Sequence, residues 1–350
     1  MRFWTTLEHV PADLGRTVVT IGNFDGVHVG HREVLQQVTR RAAQEGLPAV
    51  VVTFHPHPRS VHDPEAEHVA ILSPAQRAGL LAELDVHAVL QLEYTLEFAA
   101  QSPEEFVRGT LVEALGAAVV VIGQDVRFGR DNAGDLETMR ELGEQYGFET
   151  VVVEEFEAEV PGHPQRRCSS TWVREALAAG NVVEAAAVLG RHHRVAGEVV
   201  HGFARGRELG FPTANLAADA QGLIPADGVY AGHLVDAQGH AWPAAISVGT
   251  NPTFEGVRRV VEAHVIDRPD ERVEDFDLYG QRVDVVFIER IRGMVAYEGV
   301  EKLVAQMHDD VAQTRRILAE HAGGEGEAAE MSGAAAATPS AAKPTTADRG

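Results

Sequence analysis

Between Val18 and Leu35 an apolar run ends at Ile21, a turn is built on Gly22, Asn23, Asp25 and Gly26, and a helical pattern starts near Gly30. A strand, a glycine loop and a helix start in so short a span commit the front of the chain to an α/β design. N–H groups at a helix start attract anionic oxygens, and glycines let a ligand approach the backbone closely, so the stretch is shaped for phosphate. His28 and His31 sit three residues apart on nearly one side of the first turn. There they add donors that steady a phosphate changing geometry. A structural turn, a metal pair and surface histidines are the plainer readings. The coincidence of loop, helix start and both imidazoles favours a nucleotide site.

The same alternation continues. Leu47 to Phe54 reads as a strand covered on both faces, and prolines 56 and 58 then force an extended exit that leaves His55 and His57 at the strand's end. A helix from Ser73-Pro74 to Leu84 precedes a strand from Ala88 to Leu92, and Ser102 to Glu105 spells a capping box for a helix that runs to Gly116. A buried strand over Ala118 to Ile122 delivers the loop GQDVRFGRDNAG, with Gly123, Asp125, Arg127 and Gly129, to the edge where open α/β sheets hold ligands. A helix from Asp135 to Tyr146 and a strand from Glu149 to Glu154 complete a parallel, doubly wound sheet. In RRCSSTWVREAL, Ser169, Ser170 and Thr171 are helix-capping types and Arg174 falls on their helix face. This is either a plain capped helix or a second anion cradle. Cys168 has no partnered base in the sequence and reads as a small buried thiol.

Beyond Gly190 the texture changes. Arg194 to Arg290 holds short β-branched runs and frequent glycines, as in an antiparallel barrel or sandwich. Thr213 and Asn215 put two neutral oxygens beside Pro212, a weak pattern that suits Mg²⁺ or any turn. Glu298 to Glu320 has helical spacing, and 323–350 is rich in Ala, Gly, Glu, Pro and Thr without periodicity, as in a disordered tail.

Several of these stretches resemble one family. GNFDGVHVGH, with its HxGH core, resembles the N-terminal motif of bifunctional riboflavin kinase/FAD synthetases, and SSTWVR resembles the phosphate-holding SSTxxR of nucleotidyltransferases. GQDVRFG is similar to the family's GxDFRFG, with Val126 in place of the first Phe. GRELGFPTANL, SVGTNPTF and DLYG resemble the riboflavin kinase module, so the likeness runs from about Thr17 to Asp310. It implies a Rossmann-like nucleotidyltransferase domain over 1–190 with a parallel sheet. A kinase-type antiparallel β-barrel with a terminal helix over 191–322 would follow, and then the 323–350 tail. The activities implied are ATP-dependent phosphorylation of riboflavin to FMN and adenylylation of FMN to FAD with release of pyrophosphate.

The same resemblance distributes roles. His28, His31 and Arg174 would hold the α-phosphate and pyrophosphate, with Gly22, Asn23, Phe24, Asp25, Gly26, His57, Asp125, Ser169, Ser170 and Thr171 around the nucleotide. In the second half Gly206 would border the nucleotide, Thr213 and Asn215 would meet Mg-ATP, and Glu262 would be the base toward the flavin 5′-hydroxyl. Residues alone would not select Glu262 over Glu271 or Glu289.

A net charge of −22 argues against a nucleic-acid partner, although a few arginines suffice for one triphosphate. No run of about eighteen apolar residues argues for a membrane span, and the single Cys168 suits a reducing cytoplasm. The partners that the resemblance implies are ATP, riboflavin and FMN, and a transient homo-oligomer is compatible with the reading. Two rivals are an enzyme with one working half and a flavin carrier without turnover.

Overall fold

The computed structural model describes residues 1–65, 69–154, 156–158, 166–202, 206, 209–253, 256–267, 277–296 and 298–322. The 323–350 tail, Glu271, Phe254 and much of the glycine-punctuated loop before Leu209 lie outside the described residues.

The first half is a parallel six-stranded sheet: β1 (Arg2–Trp4), β2 (Thr17–Ile21), β3 (Ala49–His55), β4 (Ala88–Glu93), β5 (Ala117–Gly123) and β6 (Glu149–Val153), in the order β1-β4-β3-β2-β5-β6. Its central strands are β-branched on both faces because both faces are covered; Val50, Val51, Val52, Val120 and Val121 are wholly buried. The helices are α1 (Val29–Glu45), α2 (Pro58–His62), α3 (Pro74–Ala82), α4 (Leu96–Ala99), α5 (Pro103–Phe106), α6 (Leu136–Tyr146), α7 (Ser170–Ala179) and α8 (Val182–Leu189). Both Ser73 and Ser102 form complete capping boxes.

The short helices α2 and α4 are absent from the sequence reading, and two further elements depart from it. Edge strand β1, only three residues long, carries too little periodicity to be read, and is held by parallel pairing with β4. The helix after Ser102 is α-helical only to Phe106, and Val107–Ala114 continues as a wider π-type turn that buries Val107, Thr110 and Leu111. Gly109 within it is a weak α-former, which leaves packing to decide the local winding.

Strand order reverses at β2, since β3 lies on one side and β5 on the other. Open α/β sheets leave a crevice at such a switch point, beyond the carboxyl ends of the strands. A small antiparallel pair, β7 (Glu157–Ala158) and β8 (Arg166–Arg167), stands near it.

The second half is a closed antiparallel barrel of β9 (His193–Val200), β10 (Ala214–Leu216), β11 (Gly228–Val235), β12 (Ala241–Thr253), β13 (Gly256–Val265) and β14 (Arg282–Arg292), ordered β10-β13-β12-β11-β14-β9. Closure depends on Gly232, where a Cβ would lie 2.0 Å from the Val286 carbonyl oxygen. The terminal helix α9 (Val300–Ala322) packs on the barrel, and Arg292 clamps its buried Asp310 with two hydrogen bonds of 2.8 and 2.6 Å.

Candidate active sites

A cleft of about 450 Å³ opens at the switch point. The ends of β2, β3, β5 and β6 contribute Gly22, Phe54, Gly123 and Val153 to its walls.

One end of the cleft is built from two helix starts. His28 is the N-cap of α1, and its Nδ1 accepts the His31 N–H at 3.3 Å. That bond assigns the neutral ring's proton to Nε2, leaving a donor on the other side of the ring. The two imidazoles stack with centroids 3.6 Å apart. Gly30 makes room for them, because a Cβ there would lie 3.3 Å from the His28 ring. Ser169 caps α7 by accepting the Trp172 N–H at 3.1 Å. Ser170 Oγ donates to the Asp25 carbonyl at 2.7 Å, which ties the second helix start to the glycine loop. The first-turn N–H groups of Val29, Gly30, Ser170 and Thr171 have no acceptor within their helices. Gly30, Ser169 and Ser170 all line the same space, so two positive helix ends face one cavity.

Burial is the main cause that holds His28 down to about 4, and the charges of Arg191 and Arg167 push the same way. His31 is pushed well below the usual imidazole range by burial first, then by His28, Arg191 and Arg167. Both rings are therefore neutral near pH 7. Two buried polar atoms here have no hydrogen-bond partner among the described residues, His31 Nδ1 and Asn23 Oδ1. Such orphans are rare in folded proteins, and both belong to residues that line the cleft, where water or a ligand can complete the bonding.

The other end is aromatic. Phe54, Tyr94, Phe98, Phe106 and Phe128 line the cleft as a connected set, with centroids 5.7 Å apart for Phe54 and Phe98 and 6.2 Å for Phe106 and Phe128. Sequence reasoning missed this wall because its members come from separate elements with no shared spacing. Val126 lines the same cleft without adding an aromatic ring. Asp125 also lines the cleft, ion-paired with Arg167.

Gly22, Asn23, Phe24, His28, His31, Asp125, Ser169 and Ser170 are thus brought together. Asp25, Gly26, His57, Thr171 and Arg174 are not among the lining residues. Asp25 is 4% exposed and points away from the cleft, accepting the Ile71 and Leu72 N–H groups and the Arg174 guanidinium. Arg174 Nε also donates to the Val69 carbonyl at 3.1 Å. His57 caps α2 by accepting the Arg59 N–H at 3.1 Å. Capping types and a shared helix face are common to phosphate cradles and loop latches, so sequence alone could not separate the two.

A second constellation lies on the barrel. Asn215 on β10 stands directly opposite Glu262 on β13, and Ser247 on β12 flanks Glu262 from the other side. Thr213 Oγ1 donates toward Glu262 at 3.4 Å, and Asn215 Nδ2 donates to Thr213 Oγ1 and its carbonyl, both at 3.2 Å. Gly202 packs against this amide so tightly that a Cβ would lie 2.5 Å from Asn215 Oδ1. Burial raises the Glu262 carboxyl above its usual range, partly offset by the Thr213 hydroxyl. Glu289, by contrast, is opposite Ala231 on β11. Gly206 sits in the turn before Pro212, its carbonyl accepting the Phe211 N–H at 2.7 Å.

Residues 10–171 match the family model for FAD synthetase, and 189–318 match the one for riboflavin kinase. The chain is 36% identical to a bifunctional riboflavin kinase/FMN adenylyltransferase of Pseudomonas fluorescens, across 86% of this chain and 93% of that one. It is 34% identical to the enzyme of that description from Escherichia coli K12, across 86% and 92%. A solved Streptococcus pneumoniae structure titled macrolide-efflux protein superposes with a TM-score of 0.79 at 33% identity, covering 89% of this chain and 98% of its own. Among the described residues no helix is long and apolar enough to cross a membrane.

Proposed function

Since the chain belongs to the bifunctional riboflavin kinase/FMN adenylyltransferases, we propose that its two reactions are divided between the switch-point cleft and the barrel constellation. The chain phosphorylates riboflavin to FMN and adenylylates FMN to FAD. The observation that carries the division is the pairing of two helix starts with unsatisfied His31 Nδ1 and Asn23 Oδ1 in a cleft whose far end is aromatic.

In the cleft, the ATP phosphates lie against the first-turn N–H groups of α1 and α7, and the flavin ring lies on the wall from Phe54 to Phe128. An FMN phosphate oxygen attacks the α-phosphorus as the bond to the β-phosphate oxygen breaks, and pyrophosphate leaves. His28 Nε2–H and the His31 ring stabilise charge on the phosphoryl oxygens in a site that needs no reorganisation. Arg174 acts at one remove, through Asp25, by fixing the loop.

In the barrel, Glu262 takes the proton from the riboflavin 5′-hydroxyl as that oxygen attacks the γ-phosphorus and ADP departs. Its raised pKa brings it nearer the range where a carboxylate accepts protons effectively at neutral pH. Thr213 Oγ1 and Asn215 Oδ1, hard neutral oxygens beside this carboxylate, suit Mg²⁺ in kind and would hold it together with ATP. When bound, the ion gathers and neutralises the phosphates. The division corresponds to 1–190 and 191–322, and dependence of both reactions on ATP favours a cytoplasmic site of action.

The test is incubation with riboflavin, ATP and Mg²⁺, followed by chromatographic separation of flavins. The pair His28→Ala and His31→Ala should abolish FAD while FMN still accumulates. Glu262→Gln should lower kcat for FMN formation by about 10²–10⁴-fold, the usual contribution of a general base, while supplied FMN is still converted to FAD. Unchanged FAD formation in the histidine variant would reject the cleft assignment.

A further inference from the structure

Arg191 is where the chain leaves α8 for the barrel, yet its side chain turns back into the first half. Its guanidinium donates to the Gly26 carbonyl at 2.5 Å, the Val27 carbonyl at 3.0 Å and the Leu189 carbonyl at 3.2 Å. Among the described residues no carboxylate forms an ion pair with it. Two of these three backbone oxygens belong to the loop that leads into His28.

That loop needs holding. Phe24, Gly26 and Val27 all have positive φ, at 47°, 87° and 40°. For the β-branched Val27 this is strained backbone, which persists only where the surroundings over-determine it. The Asn23 carbonyl is held by Arg77 at 2.8 Å and Thr53 at 3.2 Å, and the Asp25 carbonyl by Ser170 at 2.7 Å. Gly26 and Val27 are the two whose carbonyls are held from beyond α8. The Val27 carbonyl belongs to the peptide that enters His28, so fixing it fixes the approach of the α1 N-cap. Through the bond from His31 N–H to His28 Nδ1, it also fixes the stacked pair.

We propose that Arg191 is a positioning residue for adenylyl transfer, locking the strained Gly26–Val27 backbone so that His28 and His31 meet the phosphates in register. This rests on the reading of the cleft as the adenylyl-transfer site. It makes the first residue of the barrel half a working part of the other half's chemistry. A bidentate guanidinium suits the task because its planar fork spans two successive carbonyls, whereas an ammonium is a point donor.

Two full-length variants, Arg191→Met and Arg191→Lys, test it, with kcat and KM measured separately for FAD formation and for FMN formation. Misplacement of about 1 Å at a reacting centre costs about 100-fold in rate. Arg191→Met should lower kcat for FAD formation on that scale and leave FMN formation unchanged. Arg191→Lys should recover part of the loss, since it keeps the charge and a donor group but not the planar fork. Wild-type FAD kcat in Arg191→Met overturns the proposal. So does a proportional loss of both activities in both variants, failure to fold included, because Arg191 would then be a strut for the whole chain. The histidine pair is read in parallel: if its loss spares FAD formation, the cleft reading fails whatever Arg191 does.

Discussion

Asp25 and Arg174 look, in sequence, like two phosphate-site residues, and in the structure they hold each other. Asp25 is 4% exposed, and its carboxylate receives the Ile71 N–H at 3.0 Å, the Leu72 N–H at 3.3 Å and the Arg174 guanidinium. Asp25→Asn keeps a carbonyl oxygen for the two N–H groups and removes the charge opposite Arg174. Breaking a buried pair costs about 3–5 kcal/mol. Arg174 keeps a quarter of its side chain exposed and can recruit water, so the expected loss is smaller, about 2 kcal/mol. Asp25→Ala strands both buried N–H groups as well, at about 1 kcal/mol or more each, for a total near 4 kcal/mol. In a unit of this size about 2 kcal/mol lowers Tm by about 4–8 °C.

Calorimetry on Asp25→Asn, Arg174→Met and the double variant closes the cycle. A latch predicts a coupling energy of about 2 kcal/mol, because the second substitution adds little once the first is made. FAD kcat should then fall together with stability. A direct phosphate contact predicts the opposite pattern: near-zero coupling, unchanged Tm in Asp25→Asn, and an Arg174→Met chain that is stable but poor in KM for ATP. That pattern would refute the latch.

Gly30→Ala should separate stability from chemistry. Alanine favours the helix by up to about 1 kcal/mol, yet its Cβ would press on the His28 ring at 3.3 Å; a Tm that holds or rises while FAD kcat falls is expected, and unchanged FAD kcat would refute the close fit. Acid should destabilise the chain. Burial holds both His28 and His193 down to about 4, against 6.5 for a free imidazole, so the unfolded chain binds more protons between these values. Stability is therefore complete above pH 6.5 and lost as pH falls toward 4, by up to about 3 kcal/mol for each ring. Thermal unfolding from pH 7 to pH 4.5 reads this, and a flat Tm, or an undiminished fall in His193→Gln, would contradict it.

What the sequence made legible follows from range. The strand, loop and helix around Gly22 to Gly30, the capped α3, α6 and α7, and the change of texture after Gly190 are local signals, each set by residues within a turn or two of one another. Both histidines were visible for that reason. The aromatic wall was not, because Phe54, Tyr94, Phe98, Phe106 and Phe128 reach the cleft from the ends of different elements. Arg77 and Arg191 were equally silent. A buried arginine that donates to backbone carbonyls leaves no spacing pattern, since its partners are peptide groups that every residue possesses. Glu262 needed register: only the pairing of β10 with β13 puts it beside Asn215, and no periodicity within β13 distinguishes it.

The junction between the halves carries more than a linker would. Helix α7 presents its start to the cleft, while its end is met by the barrel: Ala226 N–H donates to the Leu177 carbonyl at 2.9 Å and Arg290 to the Ala179 carbonyl at 3.2 Å. Trp172, Leu177 and Leu189 from the first half share one continuous core with Val195, Tyr230 and Phe287 of the barrel. Arg191 then reaches across to the loop that sets His28. The two proposed reaction sites, which need no common residue, are thereby built on a common frame. The barrel's role toward the cleft is mechanical: it supplies the fixed end of α7 and the clamp on a strained loop. Preorganisation of the histidine pair is thus a property of the whole chain, although every group proposed to touch the nucleotide in the cleft precedes Arg191.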